Sequence, residues 1–174
     1  MNAIEPLGEI DPAHFRRVMG RFASGVTVIT ASAEGEIRGM TANAFMSGSL
    51  SPPLCIISIA KRARTHDHVI RAGKFAVNIL ANGQEKYATH YAGRPIPGLE
   101  VAFEHVGGIP ILKDASAYMT ADVVAQHDCG DHTIFIGHIH YMSADNRPPL
   151  VYHSGHYAAL AYLGDVSPSL PEFW

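Results

Sequence analysis

The sequence predicts a mainly β protein, an antiparallel barrel with a few short helices attached to it. About six segments are rich in β-branched residues or alternate between apolar and polar residues, and most of them are joined by short turns. Strands joined by short turns pair antiparallel, whereas a doubly wound parallel sheet requires a helical crossover between successive strands. The pattern therefore favours the barrel over a layered α/β fold.

Length and composition indicate one globular domain. The chain has 174 residues, of which 47% are hydrophobic and 17% charged, and a chain of this size forms one core. We expect a single domain over residues 1–174 with its core at about 11–160. The formal net charge of −3 provides no basic field for nucleic acid. No stretch approaches the roughly 20 apolar residues of a membrane span.

The N-terminus and the cysteines favour a cytoplasmic protein. Glu5, Glu9 and Asp11 make the N-terminus acidic, without the apolar run of a signal peptide. Cys55 and Cys129 form no CxxC motif, so we expect neither a disulfide framework nor a thiolate metal site. Both are interpreted as buried small hydrophobic residues rather than nucleophiles, because cysteine is among the most buried residue types.

The first element is a helix. Asp11 suits the N-cap and Pro12 the first helical position. Gly25 is expected to end the helix. The apolar residues of this predicted helix recur at helical spacing: Phe15, Val18, Met19 and Phe22.

The first half of the sheet is predicted from β-branched and apolar runs. Residues 26–32 and 37–41 form a hairpin around a turn at 33–36. The stretch 41–51 is small and polar and is interpreted as a loop. After two prolines, which cannot donate to a ladder, the apolar run 54–60 is predicted to be a buried strand.

Two further helices and one irregular segment follow. Residues 65–72 are predicted to be helical, with Thr65 as the cap and Gly73 as the stop. Residues 83–91 also have helical character, and 92–112 are rich in Gly and Pro and are expected to be irregular. The remaining strands are predicted at 74–80, 117–127, 133–141 and 150–153.

The common nucleotide and hydrolase motifs do not occur. The chain has no GxGxxG, no GxxxxGK[ST], no HExxH and no GxSxG, which disfavours a Rossmann or P-loop mechanism. His138 and His140 would share one face of a strand, as a metal site requires. They are interpreted as ordinary histidines of the sheet surface, because one such pair supplies only half a site, and no metal is expected.

The segment 39–54, GMTANAFMSGSLSPPL, is the most informative part of the chain. It places hydroxyl, amide and backbone donors among small residues between two strands. Such a loop suits a planar ring with polar edges or a phosphate, both of which need convergent donors. By composition alone, an ordinary polar loop is an equally good interpretation.

This segment and its flanks resemble the flavin reductase-like domain, whose best-known members are reductase components of two-component flavin monooxygenases. The flanking matches are FRRVMGRFASGVTVIT at 15–30 and SIAKRARTHDHVIRAGKFAVNIL at 58–80. Two more are GDHTIFIGHI at 130–139 and PLVYHSGHYAAL at 149–160. The order of these motifs is that of the family, which makes the resemblance specific, and the resemblance covers nearly the whole chain.

The resemblance implies a homodimer of six-stranded split barrels of the Greek-key type, which hold FMN or FAD near the dimer interface. The loop 39–44 would lie along the isoalloxazine ring, and Ser49 with the strand end 58–60 would meet the ring edge and the ribityl chain. Ala44 stands where many members have Ser, which removes one hydroxyl contact. The implied cofactor-binding residues are Gly39, Met40, Thr41, Ala42, Asn43, Ala44, Ser49, Ser58, Ile59, Ala60, Arg64, Thr65, His90, Tyr91, Tyr152, Gly155, His156 and Tyr157.

Arg64 and Thr65 resemble the family's phosphate-binding pair, which is physically reasonable for an arginine beside a helix N-terminus. Without the resemblance, Arg64 is interpreted as a solvated charge. His90 and Tyr91 match a second stretch that reaches the flavin in relatives.

His132 resembles the family histidine near the nicotinamide site, where it would bind the carboxamide or supply a proton to the reduced flavin. Without the resemblance, His132 is interpreted as a turn residue that caps a strand. The segment from Tyr152 to Tyr157 matches the border of the nicotinamide in relatives. No catalytic triad is expected, because the cofactors carry hydride transfer and the protein orients them.

The resulting hypothesis is an NAD(P)H:flavin oxidoreductase that transfers a hydride to FMN or FAD and passes reduced flavin to a separate monooxygenase. The alternative is a flavin-binding electron carrier or sensor of the same fold that has lost nicotinamide turnover. The sequence leaves open the choice between FMN and FAD and between NADH and NADPH.

Overall fold

The computed structural model describes residues 8–161 and confirms a mainly β protein with three helices in that range. The helices are α1 (Pro12–Met19), α2 (Arg64–Ala72) and α3 (Glu85–Tyr91). The strands are β1 (Ser24–Gly25), β2 (Thr27–Ala33), β3 (Glu36–Ala42), β4 (Phe45–Ser49), β5 (Leu54–Ala60), β6 (Lys74–Ile79), β7 (Phe103–Val106), β8 (Ile109–Leu112), β9 (Ala117–Cys129), β10 (His132–Ala144), β11 (Val151–His153) and β12 (His156–Ala158).

The main sheet has seven strands, so the prediction of six is wrong. Their order is β3-β2-β6-β9-β10-β5-β4, and all neighbours are antiparallel. The additional strand is β4, which lies inside the segment 41–51 that was interpreted as a loop. Its small polar residues hide the alternation of a strand, and pairing with β5 supplies the order that local propensity does not.

The two edge strands of this sheet are consecutive in the chain. Only Asn43 and Ala44 separate the end of β3 from the start of β4. Three Cα steps at full extension span at most roughly 11 Å, so the two edges approach each other at this end. The short connection 43–44 therefore lies between the two edges of the sheet.

The helix bounds differ from the prediction in two places. α1 has the expected Asp11 cap, whose carboxylate accepts from the backbone of Ala13 and His14. It ends at Gly20 rather than at Gly25, because the Gly20 N–H already bonds back to Arg16 and the chain then enters β1.

α2 begins one residue earlier than predicted. Its N-cap is Ala63, and Thr65 is a buried residue within the first turn rather than the cap. The predicted stop is confirmed, since Gly73 has the left-handed φ of 62° that favours glycine after a helix. α3 begins at Glu85, after Gln84, rather than at residue 83.

Two hairpins were missed. β7 and β8 form a separate two-stranded sheet inside 92–112, and β11 pairs with β12 and with β1 in a three-stranded sheet. The turn between β9 and β10 consists of Gly130 and Asp131, so His132 is the first residue of a strand rather than part of the turn.

The largest core cluster lies against the main sheet and under α2. Phe75 and Phe135 are fully buried in it, together with aliphatic residues of β2 and β5. Gly137 is required here, because a Cβ at this position would lie 2.6 Å from Cζ of Phe75 and 2.8 Å from Cβ of Ala121. The tight packing explains a glycine in the middle of a long strand.

α1 stands apart from this core, since none of its residues is buried. Phe15 is 53% exposed and Phe22, just beyond the helix, is 79% exposed. Among residues 8–161, none of the helices combines the length and the apolar character needed to cross a bilayer.

Candidate functional site

A cavity of about 430 Å3 lies between α1, the end of β3 and the β11–β12 hairpin. Five of the predicted cofactor-binding residues line it, although they come from segments that are far apart in sequence. These residues are Thr41, Ala42, Asn43, Tyr152 and Tyr157. The volume lies in the range of about 300–1,000 Å3 that is usual for small-molecule sites.

The sequence interpretation missed the contribution of α1 to this cavity. Phe15, Arg16 and Met19 line it beside the predicted residues. Helical spacing predicted the helix but assigned no site residue to it. The arginines between them were the available signal, because a basic amphipathic helix at the surface often contacts an anionic ligand or a partner.

The β11–β12 hairpin is tied to the end of α1. The N–H of Ser154 donates to the carbonyl of Gly20 at 2.8 Å, and the Ser154 hydroxyl donates to the same oxygen at 3.4 Å. The rings of Tyr152 and Tyr157 meet at an angle with centroids 5.8 Å apart. The cavity wall therefore consists of a helix end and an aromatic hairpin held together by hydrogen bonds.

Predicted residues of β3 contact predicted residues of α3. A Cβ on Gly39 would lie 2.8 Å from Cε1 of Tyr91, so only glycine permits this approach. The Thr41 hydroxyl donates to the carbonyl of Ala88 at 2.6 Å, which commits that hydroxyl to the protein. Burial raises the pKa of the Tyr91 hydroxyl to about 12, with a smaller contribution from Tyr87.

His90 is held beside Tyr91. Its Nδ1 accepts the backbone N–H of Ile96 at 3.1 Å, and its ring meets that of Tyr91 edge to face at a centroid distance of 5.0 Å. An Nδ1 that accepts a hydrogen bond belongs to the neutral tautomer with its proton on Nε2.

The end of β5 brings a second group of predicted residues together. Ser58 donates its N–H to the carbonyl of Ala44 at 3.1 Å, and Ala60 pairs directly with His132 across the sheet. Ile59 is fully buried in the core, because alternation turns its side chain to the opposite face. A flavin at this strand end would meet only the backbone of Ile59.

His132 forms an ion-pair contact with its neighbour in the chain. Nδ1 of His132 lies 2.7 Å from Oδ1 of Asp131, and the His132 side chain is 41% exposed. The hydrogen bond and the charge of His132 lower the pKa of Asp131. An ionised carboxylate only accepts, so the proton lies on Nδ1 and Nε2 is left to face solvent or a ligand.

Arg64 and Thr65 lie in the first turn of α2. Arg64 is exposed, whereas Thr65 is only 3% exposed. Within residues 8–161, Arg64 has no carboxylate within 4 Å, while the acidic residue of the same turn, Asp67, contacts Nδ1 of His66 at 3.1 Å. The guanidinium is therefore available to an anion beside the helix N-terminus.

Several predicted residues lie away from the main cavity. Ser49 lines a different groove of about 390 Å3, next to Leu50 and Met142. Met40 packs against the main core. His156 is exposed and its Nδ1 lies 3.0 Å from the carbonyl of Ser154.

The two cysteines differ from each other. Cys55 is buried as predicted, and burial raises the pKa of its thiol to about 11. Cys129 is exposed at the end of β9, so the prediction that it is buried is wrong. The hairpin extends beyond the core at that point, which periodicity alone does not reveal.

The histidine pair of β10 lies at the sheet surface. The rings of His138 and His140 meet edge to face at 4.9 Å, and Nε2 of His140 lies 2.8 Å from Oδ2 of Asp122. No group of three or more metal-binding side chains is arranged around an ion anywhere in residues 8–161.

Proteins of similar sequence and fold include several that are named flavin reductases. A family model described as the flavin reductase like domain matches residues 19–161. An NADH-dependent flavin reductase from Rhodococcus sp. is 39% identical over 171 residues, which cover 94% of this chain and 97% of that protein. The reductase component of 4-hydroxyphenylacetate 3-monooxygenase from Thermus thermophilus is 39% identical over 149 residues, with coverages of 85% and 96%.

A solved structure agrees with these sequence matches. The flavin reductase PheA2 in its native state superposes with a TM-score of 0.85 at 42% identity, covering 88% of this chain and 100% of the other. The family match includes the cavity residues of β3 and of the β11–β12 hairpin, and the resemblance first suggested by the motifs is confirmed. The chain belongs to the flavin reductase-like domain family.

Proposed function

We propose that this protein is an NADH-dependent flavin reductase that supplies reduced flavin to a separate monooxygenase. The observation that carries the proposal is the cavity that joins Thr41, Ala42 and Asn43 to Tyr152 and Tyr157. Proteins of similar sequence carry the names of NADH-dependent flavin reductases and monooxygenase reductase components. The named FMN and FAD reductases among them support FMN or FAD as the flavin.

The residues present fit a flavin. The cavity is large enough for a ring system, and two tyrosine rings with an exposed asparagine provide apolar and polar walls. Arg64 is free to bind a phosphate at the start of α2. When bound, the flavin accepts a hydride and a proton, with oxidation of NADH to NAD+.

His132 is the residue proposed to exchange a proton with the reduced flavin or to bind the carboxamide. Asp131 holds the proton of His132 on Nδ1, so Nε2 is the ring nitrogen left for a ligand at the end of β5, where His132 pairs with Ala60. In its neutral form Nε2 accepts a hydrogen bond, and in its charged form it donates one to a carboxamide or to reduced flavin. The residues around it bind and orient, which is the main contribution that this reaction requires of the protein.

We also infer that the main sheet closes as a split barrel, with the opening between β3 and β4. Two residues join these edge strands, and Ala44 in this connection accepts a hydrogen bond from β5. No ladder pairs β3 with β4 in the part of the chain that the structure describes. The proposed flavin site lies at this opening.

A homodimer is the proposed assembly. The apolar face of α1 carries Phe15, Val18 and Met19 at more than half exposure each, followed by Phe22. A second copy of the chain would remove this surface from water. Light scattering is expected to give twice 18.8 kDa, and a Phe15→Ser/Phe22→Ser variant to dissociate at concentrations where the wild type stays dimeric. A monomeric wild type would contradict this assembly.

A cytoplasmic location is part of the proposal. Both cysteines are free, as expected in a reducing compartment, and NADH is available there to drive the reaction.

The function is tested by following NADH and NADPH oxidation at 340 nm. Protein stripped of cofactor is assayed with FMN, FAD or riboflavin added in turn. Turnover that depends on added flavin supports the reductase. Flavin binding without turnover by either donor would favour the alternative function, a flavin-binding electron carrier. The absence of flavin binding would refute both functions.

The role of His132 is tested with a matched pair of variants. His132→Asn is expected to lower the rate of flavin reduction about 100-fold, the usual contribution of a positioned proton donor. His140→Asn is the control, because His140 forms the same kind of exposed His–Asp contact on the same strand. Equal rates in the two variants would remove His132 from the mechanism.

A further inference from the structure

A second groove, of about 550 Å3, adjoins the cavity and carries three arginines of the α1 region. Arg16, Arg17 and Arg21 line it together with Ser154 and Gly155 of the β11–β12 turn. We name it the arginine groove. Neither the motifs nor the resemblance assigned a role to these arginines.

The arginine groove is bounded by elements that are fixed to each other. The N–H of Ser154 bonds to the carbonyl of Gly20 at 2.8 Å, directly between Arg17 and Arg21 in the chain. The turn is tight, with left-handed φ values of 50° at Ser154 and 87° at Gly155. Pairing of Ser24 with Tyr152 holds the hairpin beside the segment that follows α1.

The arginines have no anionic partner within residues 8–161. No carboxylate of these residues lies within 4 Å of Arg16, Arg17 or Arg21, whereas Arg38 pairs with Glu36 and Arg147 pairs with Asp114. Within residues 8–161, the only side-chain hydrogen bond of the three joins Nη2 of Arg17 to Nδ1 of His14 at 3.2 Å. The nearby carboxylate of Asp11 already caps α1.

Three guanidinium groups around one groove repel each other unless an anion neutralises them. Guanidinium is the side chain best suited to phosphate, because it donates two parallel hydrogen bonds in addition to its charge. The apolar residues of α1 follow a different face, at positions 15, 18 and 19. Arg16 shares the cavity with Phe15 and Met19, whereas Arg17 and Arg21 line only the arginine groove, so a partner covering the apolar face would leave these two arginines accessible.

The arginine groove and the cavity are continuous. Arg16, Gly20 and Tyr152 line both of them. A molecule whose ring occupies the cavity beside Tyr152 would extend its phosphate toward Arg17 and Arg21. NADH, which carries a diphosphate, has this shape, and so does FMN, whose phosphate would then bind here instead of at Arg64.

We propose that the arginine groove binds the phosphoryl group of a nucleotide whose ring lies in the adjacent cavity. The assignment of the ring to the cavity rests on the proposed function. The presence of a phosphoryl site does not, because the charge and the shape of the groove are independent of any reaction.

The site itself is tested by binding, without turnover. Isothermal titration with ADP is performed on the wild type, on Arg17→Gln/Arg21→Gln and on Arg71→Gln, whose exposed arginine lies on α2. We expect the double variant to bind ADP about tenfold more weakly, as the loss of charge-assisted hydrogen bonds at a surface site implies. The Arg71→Gln control should match the wild type, and Arg17→Lys/Arg21→Lys should recover part of the affinity. Equal ADP affinity in all proteins, or no binding by the wild type, would overturn the proposal.

Steady-state kinetics then identify the source of the phosphoryl group. A rise of about tenfold in the KM for NADH, with the KM for FMN unchanged, assigns the site to the dinucleotide. A rise in the KM for FMN, with that for riboflavin unchanged, assigns it to the flavin phosphate. An inactive wild type that still loses ADP binding in the double variant would refute the reductase but keep the phosphoryl site.

Discussion

The middle and the start of β10 differ in what determines their residues. In its middle, Phe135 and Gly137 are buried and Gly137 touches the ring of Phe75. At its start, His132 is half-exposed, contacts the neighbouring Asp131, and pairs with Ala60 of β5 and Cys129 of β9. In the interior of the protein, packing determines which residue can occupy a position. At the exposed start of the strand, packing does not restrict the residue in this way, and the predictions below test this contrast.

The difference between buried and exposed positions should be largest in the reactivity of the two cysteines. Burial raises the pKa of Cys55 to about 11, whereas Cys129 is exposed. At pH 8 only roughly one molecule in a thousand carries a Cys55 thiolate, and burial also blocks access. A disulfide reagent should label one thiol quickly and the second only after denaturation. Cys129→Ser should abolish the fast phase, and rapid labelling of that variant would contradict the buried position of Cys55.

Gly137→Ala should destabilise the interior. The added Cβ would meet Phe75 and Ala121 at under 3 Å in a fully buried site. We expect the free energy of unfolding to fall by about 1–3 kcal/mol, the usual effect of overpacking. Urea denaturation measures this loss. Gly25→Ala is the control, because its Cβ would meet nothing within 4 Å, and an equal loss in both variants would refute the packing argument.

Gly39→Ala tests the border between the interior and the site. The new Cβ would clash with the ring of Tyr91, which is only partly buried. We expect a loss of about 1 kcal/mol in stability together with weaker flavin binding, measured by fluorescence quenching.

A double-mutant cycle identifies the cause of the Gly39→Ala effect. Combining Gly39→Ala with Tyr91→Leu should cost less than the sum of the two single changes, because the leucine is smaller than the ring. Strict additivity would show that the close approach of residue 39 to Tyr91 is not what requires glycine.

The Asp131–His132 contact should have the smallest effect on stability. His132 lowers the pKa of Asp131, so the contact contributes above the ordinary carboxyl pKa and is lost as the pH falls through the lowered value. NMR titration of the Asp131 carboxyl should give a midpoint below that of an ordinary aspartate. His132→Asn should return the midpoint toward the ordinary value. An unchanged midpoint would show that the two side chains do not interact.

Local sequence was sufficient for many of the elements. Asp11 and Pro12 begin α1 as predicted, and the apolar run 54–60 coincides with β5. Caps and alternating apolar residues are local signals, because they depend on groups within a few residues of each other. The family motifs added the expected site residues, and the match over residues 19–161 confirmed the family.

Local sequence was insufficient wherever a distant segment decides the structure. β4 is a strand because β5 lies beside it, and its small polar residues alone favour a loop. Cys129 is exposed because the β9–β10 hairpin extends past the core. Ile59 cannot present its side chain to a ligand at the strand end because the core occupies its face of the sheet.

The sequence by itself therefore determined the β-rich class, the first helix, most strands and the family. Only the tertiary structure decided that residues 41–43 meet Tyr152 and Tyr157 at the end of α1, and that three arginines line the adjoining groove. The physical reason is that propensity and periodicity act between neighbours in the chain. A binding site depends on long-range packing and hydrogen bonds, such as the one between Ser154 and Gly20.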